Sequence, residues 1–368
     1  MPPILRRVLV LSHTYLQPAH RGKLRALAAR GLEVTVAIPQ RWREPWFGRP
    51  IDVAWERQGG LEVFPLPARG TIKYSGGALK ALLRDRRPDL VQIEEEPGTP
   101  AARQVLAAAR RLGIPVVLYT QQNVEQEHGW LGRWKQRRLL RKLHGVIAGS
   151  DLTGTLVRKS APQLPIAVIP QLGALAPHEP QHVPHEGLAL GFVGRLVAPK
   201  GLDKLLQALS GTLLRGMKWR LTIVGDGPER ERLEQLVMEL RLAARVRWTG
   251  GLPAEQVASL WTELDVLVQP SLSSDTWRET SSHVLIEAMA NEVAVLGTDS
   301  GVIPELIGDA GIVVSAGDVD GLAAGIERLL DATTRRGLAQ AARARALRLY
   351  SDDAIAERTL EFWRQVTK

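Results

Sequence analysis

The sequence predicts an α/β protein of two domains, each a doubly wound parallel sheet. Its 368 residues exceed what one ordinary hydrophobic core organises. Short apolar runs of strand length alternate with segments of helical pattern along most of the chain. This alternation stops once, at residues 172–187, and then starts again. Two such halves are expected to face each other across a cleft at the carboxyl ends of their strands, where ligands of doubly wound folds bind.

The first half contains the elements of an N-terminal domain over residues 1–175. Strands are predicted at residues 8–11, 34–38, 61–65, 90–93, 116–119, 146–148 and 166–169. Helices are predicted at residues 20–30, 76–85, 99–112, 130–143 and 152–159. Because the strands read as short, continuous apolar runs, we expect a parallel sheet that is buried on both faces.

The second half repeats the arrangement over residues 186–349. Strands are predicted at residues 188–193, 220–224, 246–249, 266–269, 293–296 and 312–314. Helices are predicted at residues 202–209, 229–240, 254–263, 282–290 and 319–330. A last helix is predicted at about residues 352–365.

The segment between the halves, residues 172–187, is rich in Pro and His and has no periodic pattern. It is interpreted as an interdomain linker. Its histidines His178, His182 and His185 could suggest a metal site, but no rigid element aims them at one point. A solvated linker is therefore the favoured interpretation, and no metal is predicted.

Composition excludes several classes of protein. No apolar run approaches the roughly 20 residues that span a bilayer. The N-terminal apolar run before Ser12 is too short for a signal peptide, so a cytoplasmic location is expected. The chain has no cysteine, hence no disulfide and no thiolate metal site. Its net charge of +9 is interpreted as an Arg-rich composition, and no nucleic-acid partner is predicted.

Residues 269–311 contain the most informative pattern, which centres on Glu279 and Glu287. Ser281 or Ser282 is expected to cap a helix that begins there. A helix N-terminus favours a phosphate, and a carboxylate accepts both hydroxyls of a vicinal diol. The pattern thus fits a nucleotide-sugar pocket, in which His283 is a supporting helix residue rather than a catalyst. The alternative is that the acids only complement the helix dipole.

A second stretch, residues 191–201, has a glycine turn and two cations after a predicted strand. Gly194 permits close backbone approach, while Arg195 and Lys200 match the oxygens of a diphosphate. Further along the chain, Gly225 and Leu252 lie in turns that follow two successive strands. Ordinary turn chemistry is sufficient to explain those two turns.

The pattern of residues 269–311 resembles the signature of retaining glycosyltransferases of family four. The signature has a glutamate, seven residues, and a second glutamate followed by Ala-Met. The matching positions are Glu279, Glu287, Ala288 and Met289, followed by Gly301, Pro304 and Glu305. The family usually has Gly-Phe-Gly-Leu where this chain has residues 280–283, Thr-Ser-Ser-His, and the identity of the sugar stays open.

The resemblance implies the GT-B fold, a nucleoside-diphosphate sugar donor, and transfer with retention without a metal or other cofactor. Arg195 and Lys200 would hold the diphosphate and stabilise the charge that develops on it. Glu279 would lie at the transferred sugar and Glu287 at the ribose. Backbone groups near Gly225 and Leu252 would contact the base. The C-terminal helix, residues 350–368, would pack on the first domain.

The acceptor side is predicted from the ends of first-domain strands. Relatives have paired glycines after the first strand, and Arg21 or Lys23 is expected to replace their phosphate contacts. Gln122 and Asn123 stand where relatives have His-Asp; an amide binds a hydroxyl but is not a base at neutral pH. Residues 94–96, all glutamate, are either a solvated loop or the location of an acceptor contact, with Glu94 as the candidate.

Tryptophan and arginine share one face of the predicted helix at residues 130–143. Trp130, Trp134, Arg137 and Arg141 lie on that face, opposite Leu139, Leu140 and Leu143. Residues 41–47, RWREPWF, repeat this composition. One interpretation is contact with an anionic membrane surface at the inner face of the membrane. The other is cation–π packing in a protein that does not bind membranes.

The sequence therefore predicts a glycosyltransferase that moves a sugar to a hydroxyl acceptor, including a lipid-linked glycan or polysaccharide precursor. Two alternatives stay open. One is a nucleotide-sugar epimerase of the same architecture. The other is a degenerate sugar-binding module without catalytic activity.

Overall fold

The structure is a computed structural model that describes residues 5–42, 51–69, 73–124 and 130–368. It divides into two compact units. The first unit consists of Met1–Gly173 and Asp352–Lys368, and the second of Ala174–Ser351. Within the described ranges, no helix is both long enough and apolar enough to cross a membrane.

The first unit is built on an eight-stranded sheet. The strands of the whole unit, four of which lie outside this sheet, are β1 (Arg7–Leu11), β2 (Glu33–Pro39), β3 (Arg41–Trp42), β4 (Ile51–Asp52), β5 (Glu56–Gln58), β6 (Leu61–Leu66), β7 (Ala68–Arg69), β8 (Lys73–Tyr74), β9 (Leu90–Glu94), β10 (Val116–Thr120), β11 (Gly145–Ala148) and β12 (Ile166–Val168). Its first helices are α1 (Gly22–Ala29), α2 (Gly76–Arg86), α3 (Pro100–Arg110), α4 (Trp130–Leu140) and α5 (Asp151–Ser160).

The strand order of this sheet is β12-β11-β10-β9-β1-β2-β6-β5. Neighbouring strands are parallel except that β5 pairs antiparallel with β6. Strands β3 and β4, and strands β7 and β8, form separate antiparallel pairs. All the strands predicted for this sheet are therefore parallel, and its antiparallel edge strand, β5, was not predicted.

The second unit has a six-stranded parallel sheet in the order β15-β14-β13-β16-β17-β18. Its strands are β13 (Leu188–Val193), β14 (Trp219–Val224), β15 (Val246–Gly250), β16 (Val266–Gln269), β17 (Ala294–Thr298) and β18 (Ile312–Val314). Its helices are α6 (Leu202–Ser210), α7 (Thr212–Arg215), α8 (Arg230–Glu239), α9 (Ala254–Leu260), α10 (His283–Ala290), α11 (Ile303–Ile307), α12 (Val319–Leu330) and α13 (Ala332–Leu349).

Both sheets contain a point where the strand order reverses. In the first unit β1 lies between β2 and β9, and in the second β13 lies between β14 and β16. Side chains that follow β1 and β9, or β13 and β16, therefore meet at the carboxyl edge of their own sheet. This edge is where doubly wound folds bind ligands.

The predicted linker is part of the second unit. The Val183 N–H donates to the Thr262 carbonyl at 2.8 Å, and the Arg343 guanidinium donates to the Pro177 carbonyl at 2.6 Å. His185 Nε2 lies 3.4 Å from Asp265 Oδ2. Residues 174–187 thus belong to the unit that follows them, and most of them, including His178 and His182, are exposed, as a solvated segment would be. Among the described residues, no group of three His, Cys, Asp or Glu is arranged to hold a metal ion.

The last helix, α14 (Asp352–Val366), packs into the core of the first unit beside α1. Ile355 and Trp363 are fully buried there. The Trp363 indole N–H donates to Gln92 Oε1 on β9 at 2.7 Å. This bond satisfies the buried side-chain carbonyl oxygen of Gln92 and the buried indole N–H of Trp363.

We expect Trp363→Phe to destabilise the first unit by about 1–3 kcal/mol, because it leaves the buried Gln92 acceptor unpaired. Urea denaturation would measure the change, and hydrogen exchange would assign it to the first unit. Trp134→Phe is the matched control, since that ring is 51% exposed, and its unfolding midpoint should stay close to the parent. Equal midpoints for all three proteins would contradict this role of α14.

Candidate functional site

The reversal point of the second sheet is surrounded by loops in very close contact. A Cβ on Gly225, whose φ is +137°, would lie 1.9 Å from the Gly194 carbonyl oxygen. A Cβ on Gly201, whose φ is +65°, would lie 2.0 Å from the Pro270 carbonyl oxygen. Only glycine satisfies both the backbone angle and the space at these two positions. The loops after β13, β14 and β16 are therefore held against one another.

Two residues that the sequence analysis assigned separately, Lys200 and Glu279, form an ion pair in this region. Lys200 Nζ lies 2.6 Å from Glu279 Oε2, and their side chains are 12% and 6% exposed. The same carboxylate oxygen accepts from the Ser271 hydroxyl at 2.8 Å and from the Gln269 amide at 3.3 Å. The charge of Glu279 is thus balanced by one cation and two neutral donors in a nearly dry environment.

The backbone of Glu279 is fixed by the turn after β17. The Val302 N–H donates to the Glu279 carbonyl at 3.1 Å, and the Glu279 N–H donates to the Ser300 hydroxyl at 3.3 Å. A Cβ on Gly301 would lie 2.0 Å from the Glu279 carbonyl oxygen. Glu279 and Gly301, which belong to the same sequence pattern, are therefore in direct contact, and this contact positions the Glu279 carboxylate.

Helix α10 begins at His283, and Ser282 occupies its N-cap position. The expectation that Ser281 or Ser282 caps this helix is wrong, because no side chain makes the capping hydrogen bond. Ser281 is exposed, whereas the Ser282 hydroxyl is buried without a hydrogen-bond partner among the described residues. The backbone at Ser282 has ψ near 73°, which differs from the usual extended geometry of a capping residue.

His283 is the first residue of this helix and Glu287 lies about one turn further on; His283 Nε2 is 3.2 Å from Glu287 Oε1. Both side chains are partly exposed. The spacing of four residues places them on the same face of α10, so His283 orients Glu287. This agrees with a supporting role for His283.

The other predicted donor residues lie around the same loops. Gly194 follows β13 directly, and its N–H donates to the Val224 carbonyl at 2.9 Å. Arg195 is exposed beside it. Gly225 contacts Gly194, as described above. Leu252 is half-buried against the hydrophobic cluster under α10. Within one unit, Gly194 therefore contacts Gly225, and Lys200 contacts Glu279.

At the reversal point of the first sheet, Glu94 is completely enclosed. Its carboxylate accepts from Tyr15 Oη at 3.0 Å, Lys23 Nζ at 3.1 Å, Gln92 Nε2 at 2.7 Å and Gln171 Nε2 at 2.8 Å. The interpretation of residues 94–96 as a solvated loop is therefore wrong. The Glu94 carboxylate accepts hydrogen bonds from four protein donors and is therefore part of the buried interior of the unit.

The expectation that Arg21 or Lys23 contacts a donor phosphate is not supported by their positions. The Arg21 guanidinium donates to the Tyr15 carbonyl at 2.9 Å and pairs with Glu56 at 2.8 Å. The Lys23 ammonium is buried on Glu94. Both cations are engaged inside the first unit.

Sequence analysis missed the pair formed by His13 and Glu95. His13 Nδ1 lies 3.1 Å from Glu95 Oε1, and the imidazole stacks on Trp42 with a centroid distance of 4.8 Å. His13 follows β1 closely and Glu95 follows β9 directly, so the two meet where the strand order reverses. A prediction that the strand order reverses between β1 and β9 would have placed His13 close to Glu95.

The neighbouring Glu96 is also partly buried. It accepts from the Thr120 hydroxyl and, at 3.0 Å, from the Gln121 N–H. Burial raises the pKa of Glu96, although these two hydrogen bonds oppose the shift. Glu96 therefore joins the ends of β9 and β10 rather than entering solvent.

The two predicted amides, Gln122 and Asn123, follow β10. The Gln122 amide donates to the Val124 carbonyl at 3.3 Å and accepts from Gln136 at 3.3 Å. Asn123 is buried. The structure therefore places both side chains within the first unit at the carboxyl edge of its sheet.

On helix α4 the apolar face is buried as predicted, through Leu139 and Leu140. Trp134 is half-exposed, and the Arg138 guanidinium carbon lies 5.2 Å from the centre of its ring. This contact is the cation–π pairing of one interpretation, with Arg138 as partner instead of Arg137 or Arg141. The Trp130 side chain and residues 43–47 lie outside the described residues.

Two family models match the chain. Glycosyl transferases group 1 matches residues 178–345, and the glycosyl transferase 4-like domain matches residues 18–171. The alpha-D-kanosaminyltransferase of Streptomyces kanamyceticus is 26% identical over 392 aligned residues, which cover 94% of this chain and 98% of that protein.

Two solved structures are similar to the chain in fold. Sucrose-phosphate synthase from Thermosynechococcus elongatus has a TM-score of 0.76 at 21% identity and covers 98% of this chain and 99% of its own. Anabaena Alr3699/HepE, solved in complex with UDP and glucose, has a TM-score of 0.72 at 18% identity, with 98% and 100% covered. The similarity therefore extends over both units.

We expect Lys200→Ala to lower the free energy of unfolding of the second unit by about 3 kcal/mol, because it leaves Glu279 buried without its cation. The double variant Lys200→Ala/Glu279→Gln should be less destabilised than Lys200→Ala alone, since it removes the uncompensated charge as well. Urea denaturation measures both. Lys204→Ala is the matched control, because that ammonium makes only longer contacts at 3.4 and 3.7 Å. Additive effects in the double variant would show that the pair is not coupled.

Proposed function

Since the chain belongs to the glycosyl transferases of group 1 and has the GT-B fold, we propose that it moves a sugar from a nucleoside-diphosphate sugar to a hydroxyl acceptor with retention. The observation that carries this proposal is the contact between Lys200 and Glu279 at the reversal point of the second sheet. It supplies a cation and a carboxylate, fixed before any substrate binds, at the edge where such folds bind ligands.

The donor diphosphate is the ligand that suits the cations of this edge. Arg195 presents an exposed planar guanidinium directly after β13, and Lys200 presents an ammonium a few residues further on. Two fixed positive groups would stabilise the charge that develops on the departing nucleoside diphosphate. In this proposal they do the work that a divalent cation does in other enzymes, so transfer needs no metal and no other cofactor. The UDP bound to Anabaena Alr3699/HepE supports a nucleoside-diphosphate sugar as the donor.

The two glutamates would act on different parts of the donor. Glu279 is buried and held by Gly301 and Lys200, so its carboxylate has the fixed position needed beside a sugar ring that gains positive charge. Glu287 is partly exposed and oriented by His283, which suits hydrogen bonding to the two ribose hydroxyls. The Ser282 hydroxyl at the start of α10, which is buried and has no hydrogen-bond partner within the described part of the chain, is suited to a phosphate oxygen.

We assign the acceptor contact in the first unit to the pair of His13 and Glu95, because the predicted candidate, Glu94, is enclosed by protein donors. Glu95 is buried and His13 is partly exposed, so the carboxylate can orient the imidazole toward an acceptor hydroxyl. Gln122 and Asn123 could add hydrogen bonds from the end of β10. With retention, the leaving phosphate oxygen would take the acceptor proton on the same face of the sugar, and no separate general base is required.

We further propose that the acceptor is a lipid-linked glycan or a polysaccharide precursor at the inner face of the membrane. The feature that supports contact with an anionic lipid surface is the exposed part of the Trp134 ring on α4. The cation–π contact between Arg138 and this ring supports the other interpretation, a protein that does not bind membranes.

Arg195→Ala should weaken binding of a nucleoside diphosphate by about 10- to 100-fold, since it removes a charge-assisted contact of roughly 1.5–3 kcal/mol. Isothermal titration with UDP and GDP measures the change without an acceptor. Arg232→Ala, which removes an exposed arginine that pairs with Glu229, is the control and should bind like the parent. If Arg195→Ala binds both nucleotides as tightly as Arg232→Ala, the diphosphate is held elsewhere.

Glu279→Gln and Glu287→Ala should fail in different ways. Glu279→Gln should chiefly lower kcat, because it weakens an interaction that strengthens in the transition state. Glu287→Ala should chiefly raise the donor KM, because ribose contacts hardly change during transfer. Steady-state kinetics with a common donor tests both, after unfolding midpoints show that each variant is folded. Full turnover in Glu279→Gln, or an unchanged donor KM in Glu287→Ala, would refute the assignment.

A further inference from the structure

The first unit has a cavity of about 290 Å³ at the edge of the sheet opposite to His13 and Glu95. Its walls include Arg7 and Glu33, which are the first residues of β1 and β2. The cavity therefore lies at the amino ends of the strands. None of the donor or acceptor residues discussed above lines it.

The floor of this cavity is polar where the sheet would be expected to be apolar. Thr35 and Glu62 are register partners on β2 and β6, and Thr35 is also paired with Leu9, a core residue. Thr35 and Glu62 are 7% and 6% exposed. Glu62 therefore places a charge in the nearly dry floor of the cavity, where it pairs with the partly exposed Arg86 guanidinium.

Glu62 serves to hold the side chains around it. Its carboxylate accepts from the Arg86 guanidinium at 2.8 and 2.7 Å, from the Trp55 indole N–H at 2.9 Å, and from the Thr35 hydroxyl at 3.1 Å. Burial raises the pKa of Glu62, but the hydrogen bonds from Arg86 and Trp55 outweigh it and leave the pKa lowered. The ionised carboxylate thereby fixes the positions of the indole and the guanidinium.

Trp55 is an exposed aromatic residue in this wall. Its side chain is 57% exposed although its indole N–H is tethered inside the cavity. Leaving so large an aromatic surface in water is unfavourable, and the tether prevents the ring from folding away. A ring fixed in this way presents an apolar face to whatever enters the cavity.

The charges of the lining indicate a neutral ligand. Three basic and three acidic residues line the cavity, so it favours neither an anion nor a cation: Arg7, Arg57 and Arg86, and Glu33, Glu62 and Asp85. Planar guanidinium and carboxylate groups are suited to the paired hydroxyls of a neutral sugar. An exposed indole face is suited to the C–H face of a sugar ring.

We propose that this cavity is a second, non-catalytic binding site for a neutral oligosaccharide. Trp55 stacks on one sugar ring, and Arg57 on the rim donates to its hydroxyls. The site holds a part of the acceptor glycan that is distant from the reacting hydroxyl. Only this assignment of the ligand to the acceptor rests on the proposed function; the binding of an oligosaccharide does not.

The test uses the full chain without any donor. Saturation-transfer NMR and isothermal titration would be run with maltotriose, cellotriose, chitotriose and α-1,6-mannotriose. We expect the parent to bind at least one of them, and Trp55→Ala to weaken that binding by at least about tenfold. Trp134→Ala is the matched control, because it also removes a half-exposed tryptophan, and it should bind like the parent.

The proposal is overturned if the parent binds none of the four sugars, or if Trp55→Ala binds as tightly as Trp134→Ala. Should Trp55→Ala fold poorly, Arg57→Ala replaces it, and unchanged affinity in that variant overturns the proposal equally. Donor turnover is measured in the same proteins. Turnover without oligosaccharide binding refutes only the second site, whereas binding without turnover refutes only the proposed transferase function.

Discussion

The ion pair between Lys200 and Glu279 is the interaction on which the candidate donor site depends. Its partners come from loops that follow different strands, so the pair forms only if those loops approach closely. Gly201, Gly225 and Gly301 permit that approach, because each has a positive φ and no space for a side chain. Desolvation of both charges is part of the cost of folding, and the groups need no rearrangement when a charged substrate arrives.

Most of the fold could be predicted because its strands are continuous apolar runs and its helices lie between them. The strands that were missed are two or three residues long and depend on a neighbour. Strand β5, with the sequence ERQ, has no buried residue and exists because β6 offers an edge to pair with. Helix α13 was not predicted, since its few buried alanines produce almost no apolar stripe.

The candidate site was predicted one residue at a time, but its contacts were not. Lys200 and Glu279 are 79 residues apart, and no local pattern reports that they touch. Glu94 was placed on the acceptor side because it ends a strand, yet its partners Lys23 and Gln171 come from distant parts of the chain. Local spacing identifies the type of chemistry, while tertiary contacts decide which carboxylate is accessible.

The discontinuous first unit has a consequence for synthesis on the ribosome. The second unit is one uninterrupted segment, whereas the first needs α14, and Trp363 reaches Gln92 across 271 residues of sequence. The unit that is translated first is therefore completed last. Until the C-terminal residues emerge, the surface of β9 and α1 that α14 covers stays exposed to chaperones and proteases. The β-bridge between Ala174 and Ser351 holds the first and last residues of the second unit side by side.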